Sequence, residues 1–147
     1  MAVVMKLADI LNLKGWGTVM VHESITVEIA VKILCDHRIG SLIVQGKGGT
    51  LVGLLTESEI LKHFGDQGVL IAQRTVGDIM LKHVAMASTD MPVESATRFM
   101  MERRLRHLPV IKDGSIVGII SLSDILKALL PQTPIVTDIM ENYITYA

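Results

Sequence analysis

Two short segments pair a hydroxyl with a carboxylate three residues further on: Thr56-Glu-Ser-Glu59 and Ser121-Leu-Ser-Asp124. A carboxylate so placed has two uses. It can close a helix capping box, in which the hydroxyl caps the first turn and the acid reaches back to the capping residue. It can instead accept hydrogen bonds from a ribose 2′,3′-diol, as a carboxylate does in dinucleotide folds. Ser121 and Ser123, or Thr56 and Ser58, would then contact ribose or phosphate. Capping boxes favour the longer Glu or Gln, so Glu59 fits the box and Asp124 is the poorer box residue. Arg103, Arg104, Arg106 and His107 form a second cluster, at the end of one helical pattern and the start of a strand. Cations at a helix C-terminus complement its dipole, worth about 0.3–1 kcal/mol each, which accounts for Arg103 and Arg104. Arg106 and His107 lie beyond that reach, at the strand entry.

The remaining chemically able residues read as structural. Cys35 lies within a helical pattern, with no motif coupling it to a base, and is expected to pack as a small apolar residue. The five histidines show no metal-ligand spacing, and His37, His63 and His83 are expected to face solvent. The nine methionines fall mostly on apolar helix faces and read as core fillers. Trp16, between Gly15 and Gly17, could cover a ligand base, meet a second copy or simply pack. GKGG (46–49) lacks the Lys-Ser/Thr and the following helix of a phosphate loop.

The elements that carry these residues occur twice. ITVEIAVKILCDHRIGSLIV (25–44) aligns with MPVESATRFMMERRLRHLPV (91–110), and LVGLLTESEILK (51–62) aligns with IVGIISLSDILK (116–127). Upstream, LADIL (7–11) echoes VGDIM (76–80), with Gln67–Thr75 as the connection between copies. Each copy reads as a short strand (19–21; 84–87) and a helix from near Thr26 or Pro92. A hairpin and a second helix, from about Ser58 or Ser123, complete it. Val27, Ala30, Val31 and Leu34 recur at helical spacing, and Asp113-Gly114 between apolar runs is a hairpin turn. A unit of about 60 residues buries little surface alone, so the two sheets should pack together into one α/β (α+β) pair.

Composition narrows the function classes. Lys and Arg number 14 against 15 Asp and Glu, giving a net charge of −1, with 50% apolar and 3% aromatic residues. Disorder is excluded by the apolar content. Nucleic-acid binding needs a basic excess and stacking aromatics, and neither is present. No apolar run reaches the ~18 residues of a membrane span. The first fifteen residues, interrupted by Lys6 and Asp9, read as an amphipathic helix rather than a signal peptide. One cysteine forms no intrachain disulfide, which fits a reducing compartment and a cytoplasmic location.

The doubled unit, with RRLRHLPVIKDGSIVGIISLSDILKAL (103–129) and the RIGSLIV and GLLTESEILK segments, resembles a tandem pair of cystathionine-β-synthase-type (CBS) repeats, or Bateman module. The resemblance divides the chain into repeat one (5–66), repeat two (76–130) and a tail (131–147) that reads as a possible docking helix. It implies a stand-alone regulatory pair that senses an adenosine ligand and forms a homodimer acting on a target protein. The ligand would be of AMP, ADP, ATP, NAD or S-adenosylmethionine type. It would be a regulatory ligand and not an obligatory cofactor. Asp124 matches the family's Ser/Thr-x-x-Asp pattern, and repeat one departs from it at Glu59. In the family each cleft draws on both repeats. The better site would combine Ser121, Ser123, Asp124, Arg106 and His107, with the last two towards phosphate, and Thr18, Val19, Ile39, Gly40 and Ser41. Gly40 and Ser41 would let backbone approach the ligand closely. A weaker cleft would combine Thr56, Ser58 and Glu59 with Val84, Ala85, Leu105 and Arg106. Two other classes stay open. A ligand-free interaction domain needs no site, and a nucleotide-processing enzyme needs a nucleophile–base pair or two metal-binding carboxylates. No such pair is evident, so no catalytic or metal site is expected.

Overall fold

The computed structural model describes residues 4–130 and 141–144. Most of the expected tail helix (131–147) lies outside them. The chain opens with helix α1 (Leu7–Lys14), followed by β1 (Met20–His22), α2 (Val27–His37), β2 (Ser41–Gln45), β3 (Leu51–Thr56) and α3 (Glu57–Gln67). A 3-10 segment, Gly68–Gln73, leads to a one-turn helix, α4 (Val76–Ile79). The second half runs through β4 (Ala87–Ser88), α5 (Val93–Arg103), β5 (His107–Lys112), β6 (Ser115–Ser121) and α6 (Leu122–Leu129). Each half builds one three-stranded sheet, in the order β1-β2-β3 and β4-β5-β6. In each, the first pair is parallel and the second antiparallel. No helix among the described residues is long and apolar enough to cross a membrane.

The middle of strand β2, Leu42-Ile43-Val44, is continuously apolar. Alternate side chains point to opposite faces of a strand. Leu42 and Val44 enter the core beneath α2, whereas Ile43 meets Leu54 and Ile119 between the two sheets. A strand covered on both faces has no polar side. The turn at Asp113-Gly114 has φ of 52° and 80°, the left-handed pair expected of a two-residue hairpin. Helices α2 and α5 end alike, on Arg38 (φ 53°) and Arg104 (φ 55°). The chain then turns back sharply: Ile39 and Leu105 donate backbone hydrogen bonds to the Leu34 and Met100 carbonyls, at 3.1 and 2.8 Å.

The leading helices are exchanged between the halves. Leu7, Ile10 and Leu11 of α1 are buried with Val93, Met100, Leu108 and Ile120 in the core of the second half. Val76 and Ile79 of α4 are buried with Val27, Leu34 and Leu55 in the first. Ile71, from the segment read as a plain connection, is buried in that first core too. Other readings are corrected. Val31 is 36% exposed, Met101 is 68% exposed and Met100 alone among the described methionines is fully buried. Cys35 is exposed, because it lies on the outer face of α2 rather than under it. His63 is partly covered, 3.8 Å from Glu59. Strand β4 begins at Ala87, since Val84 instead joins the layer between the sheets.

Candidate functional site

The β-hairpins carry helices α3 and α6 directly from their last strands, so Thr56 and Ser121 become helix caps. Ser121 and Asp124 form a complete capping box. Asp124 N–H donates to Ser121 Oγ (3.1 Å), and Ser121 N–H donates to Asp124 Oδ2 (2.8 Å). This reverses the expectation for the two copies. Thr56 caps Glu59 N–H at 3.2 Å, but the Glu59 carboxylate turns to His63 instead of reaching back. The Asp124 carboxylate that closes the box also receives a further donor. Lys14 Nζ lies 2.7 Å from Asp124 Oδ2 and 2.6 Å from the Ile119 carbonyl.

A cleft of about 850 Å³ opens beside this cap. Its lining brings Ser121, Ser123 and Asp124 together with Thr18, Val19, Ile39, Gly40, Ser41, Arg106 and His107. All ten residues of the better sequence-derived site thus share one cleft. The floor is tight. A Cβ on Gly40 would stand 2.9 Å from Glu57 Oε1 and 3.0 Å from His107 Nε2, so only glycine lets those side chains approach. The weaker set does not line this cleft apart from Arg106. Ala85 and Leu105 pack on the second core and Val84 packs between the sheets. Thr56 is buried as a cap, and Ser58 faces outward.

The cleft also holds residues that the sequence reading missed. Lys14, Arg38 and Lys127 add cations and Glu57 adds an acid; Trp16, for which covering a ligand base was one of the expected roles, lines the same cleft. Trp16 is held there by Gly15 (φ 107°) and Gly17 (φ 95°), and by its own Nε1–H bond to Asn12 at 2.8 Å. Glu57 had a signal: it aligns with apolar Leu122 in the other repeat. Lys14 had none, because it reaches Asp124 only through the helix exchange.

The site electrostatics follow from these neighbours. Burial alone would raise the Asp124 carboxyl. Hydrogen bonds from Lys14 and from the Ser121 backbone and hydroxyl, with the Lys14 charge, outweigh it and leave the pKa below the ordinary carboxylate value. For His107, burial comes first and lowers the pKa below 6.5. Glu57 and Asp124 oppose that shift, and Lys14 and Arg106 reinforce it.

The comparisons with known proteins agree with this architecture. The family model for the CBS domain matches residues 17–66 and again 76–131. The chain belongs to the CBS domain family. Its two halves are a CBS pair, a regulatory module. The pair is 34% identical over 109 residues to the CBS domain-containing protein CBSX3, mitochondrial, of Arabidopsis thaliana. That match covers 71% of this chain and 53% of the relative, so the chain spans about half the relative's length. A crystal structure of a CBS-domain containing protein from Agrobacterium tumefaciens superposes with a TM-score of 0.83 at 30% identity, covering 86% of this chain and 100% of the other. The CBS domain pair of protein MJ0100, solved with 5′-methylthioadenosine and S-adenosyl-L-methionine, gives a TM-score of 0.74 at 29% identity. That match covers 86% of this chain and 96% of the other.

Proposed function

We propose that this CBS pair binds an adenosine nucleotide in the cleft between its repeats, and that a homodimer relays the bound state to a target protein. The observation that carries the reading is the composition of the one cleft. It joins a capped carboxylate, Asp124, to aliphatic walls at Val19 and Ile39 and to cations at Arg106 and Lys127. Its volume is within the ~300–1,000 Å³ of small-molecule sites. Asp124 would accept the ribose diol, and the aliphatic walls would sandwich the adenine. Arg106 and His107 would face the phosphates. The complex of the MJ0100 pair with 5′-methylthioadenosine and S-adenosyl-L-methionine supports an adenosine-bearing ligand. The ligand is regulatory rather than an obligatory cofactor. The single cysteine fits a reducing compartment, the cytoplasm in the simplest case.

The test is calorimetry of AMP and adenosine with the wild type and Arg106→Ala. A guanidinium grips phosphate and finds nothing equivalent on adenosine. The substitution should weaken AMP about tenfold, or more, and leave adenosine nearly unchanged. Equal weakening of both would show that Arg106 only shapes the cleft.

A further inference from the structure

One oxygen of the Asp124 carboxylate is already engaged: Lys14 and the Ser121 backbone both donate to Oδ2, so a diol that grips both carboxylate oxygens must compete with Lys14 for one of them. The Lys14 ammonium lies 2.7 Å from Asp124 Oδ2, with the two side chains 35% and 17% exposed. The same oxygen accepts the Ser121 backbone N–H, and the same ammonium donates to the Ile119 carbonyl. The pair therefore forms part of the wall of the cleft that also contains Arg106, Lys127 and Arg38. A neutral ligand whose diol spans both Asp124 oxygens competes with Lys14 for Oδ2, and taking that oxygen breaks a charge-assisted hydrogen bond and leaves the ammonium with one fewer partner. A ligand that carries an anionic group beside its ribose gives the displaced ammonium a new partner in the same cleft. Lysine suits such an exchange, since its charge rides on a flexible four-carbon stem with three rotatable donors.

We infer that Lys14 is a specificity-determining residue which screens Asp124 against neutral nucleosides and admits ligands that pair a ribose diol with a phosphate. The inference rests on the nucleotide reading of the cleft and narrows its ligand class. Helix α1, which belongs to the first half by sequence, thereby sets the selectivity of the acid in the second.

The experiment measures AMP and adenosine affinities by calorimetry for the wild type, Lys14→Met and Lys14→Arg, each checked for folding by circular dichroism. Met keeps the length and packing of the stem and removes the charge. Lys14→Met should bind adenosine more tightly and AMP more weakly, so the AMP-to-adenosine preference falls about tenfold. Lys14→Arg should retain most of the preference. If Lys14→Met weakens both ligands by the same factor, or leaves the preference intact, Lys14 is a structural tether and the inference is overturned while the nucleotide reading stands. If none of the three proteins binds either ligand, both are overturned.

Discussion

At Asp124 a helix cap, an ion pair and the proposed diol contact converge on two oxygens. Asp124→Asn keeps the shape and removes the charge. A hydrogen bond to a charged group contributes roughly 1.5–3 kcal/mol, so AMP affinity in calorimetry should fall by about tenfold or more. Glu59 stands outside the cleft and turns to His63. Glu59→Gln should therefore leave AMP binding within about twofold of wild type. Equal losses at both would refute the assignment of the ribose acid. His107 adds a pH dependence of known sign. Its folded pKa is lowered from 6.5, first by burial. The unfolded chain then takes up the proton first as pH falls. The stability His107 provides is present above about pH 6.5 and declines below it towards the folded pKa. A bound phosphate acts in the opposite direction, raising the pKa and coupling binding to proton uptake. Thermal shift by AMP, compared between wild type and His107→Gln, should show a wild-type advantage that grows from pH 8 to pH 6. The comparison cancels the titration of the phosphate itself, and a constant difference would place the imidazole away from it. The main-cleft residues were legible because the resemblance to CBS pairs implies that the acid of one repeat faces the first strands of the other. Glu57 and Lys14 were not found. The signal of Glu57, its mismatch with apolar Leu122 in the repeat alignment, was not read, and Lys14 is 110 positions from its partner.

Between elements, the closest approaches occur at two glycines that the repeat alignment pairs, Gly53 and Gly118. Each stands where the segment after an exchanged helix crosses the other half's hairpin. Leu54 and Leu81 exchange backbone hydrogen bonds at 3.0 and 2.9 Å, and Gly17 N–H donates to the Val117 carbonyl at 2.7 Å. A Cβ on Gly53 would meet the Leu81 carbonyl oxygen at 2.6 Å and Met80 Sδ at 2.5 Å. On Gly118 it would meet Leu11 Cδ2 at 2.6 Å, the end of a side chain. Backbone cannot yield as a side chain can. Gly53→Ala should cost about 1–3 kcal/mol in chemical denaturation, the usual range for overpacking. Gly118→Ala should cost less, and the reverse order would mean that the crossing segment moves freely. Periodicity located nearly every strand and helix here. It could not locate the exchange, because the apolar face of LADIL shows that α1 is buried without showing which of two similar cores receives it. The capping residues were legible as hydroxyl–acid pairs, but the Glu59 carboxylate turns to His63, a contact that the preference for a long box acid did not anticipate.

As a whole molecule the pair presents two apolar grooves, one on each repeat. Leu61 and Phe64 of α3 stand 72% and 48% exposed beside α2, and Met101 and Leu129 stand 68% and 54% exposed beside α5 and α6. Under the proposed homodimer, these two patches are the expected interface. A two-fold axis would bury both kinds in a self-complementary contact. Sedimentation at micromolar concentration should report a dimer for the wild type, with Leu61→Glu and Met101→Glu shifted towards monomer. A monomeric wild type would sink the dimer reading and leave the cleft assignments untouched. The exchange of α1 and α4 has a consequence of its own for the chain's continuity. A nick between Gly68 and Thr75 leaves an amino-terminal fragment without α4 and a carboxy-terminal fragment without α1, each missing the helix that seals its own interior. The fragments can close only by complementing one another, as two halves of a clasp do.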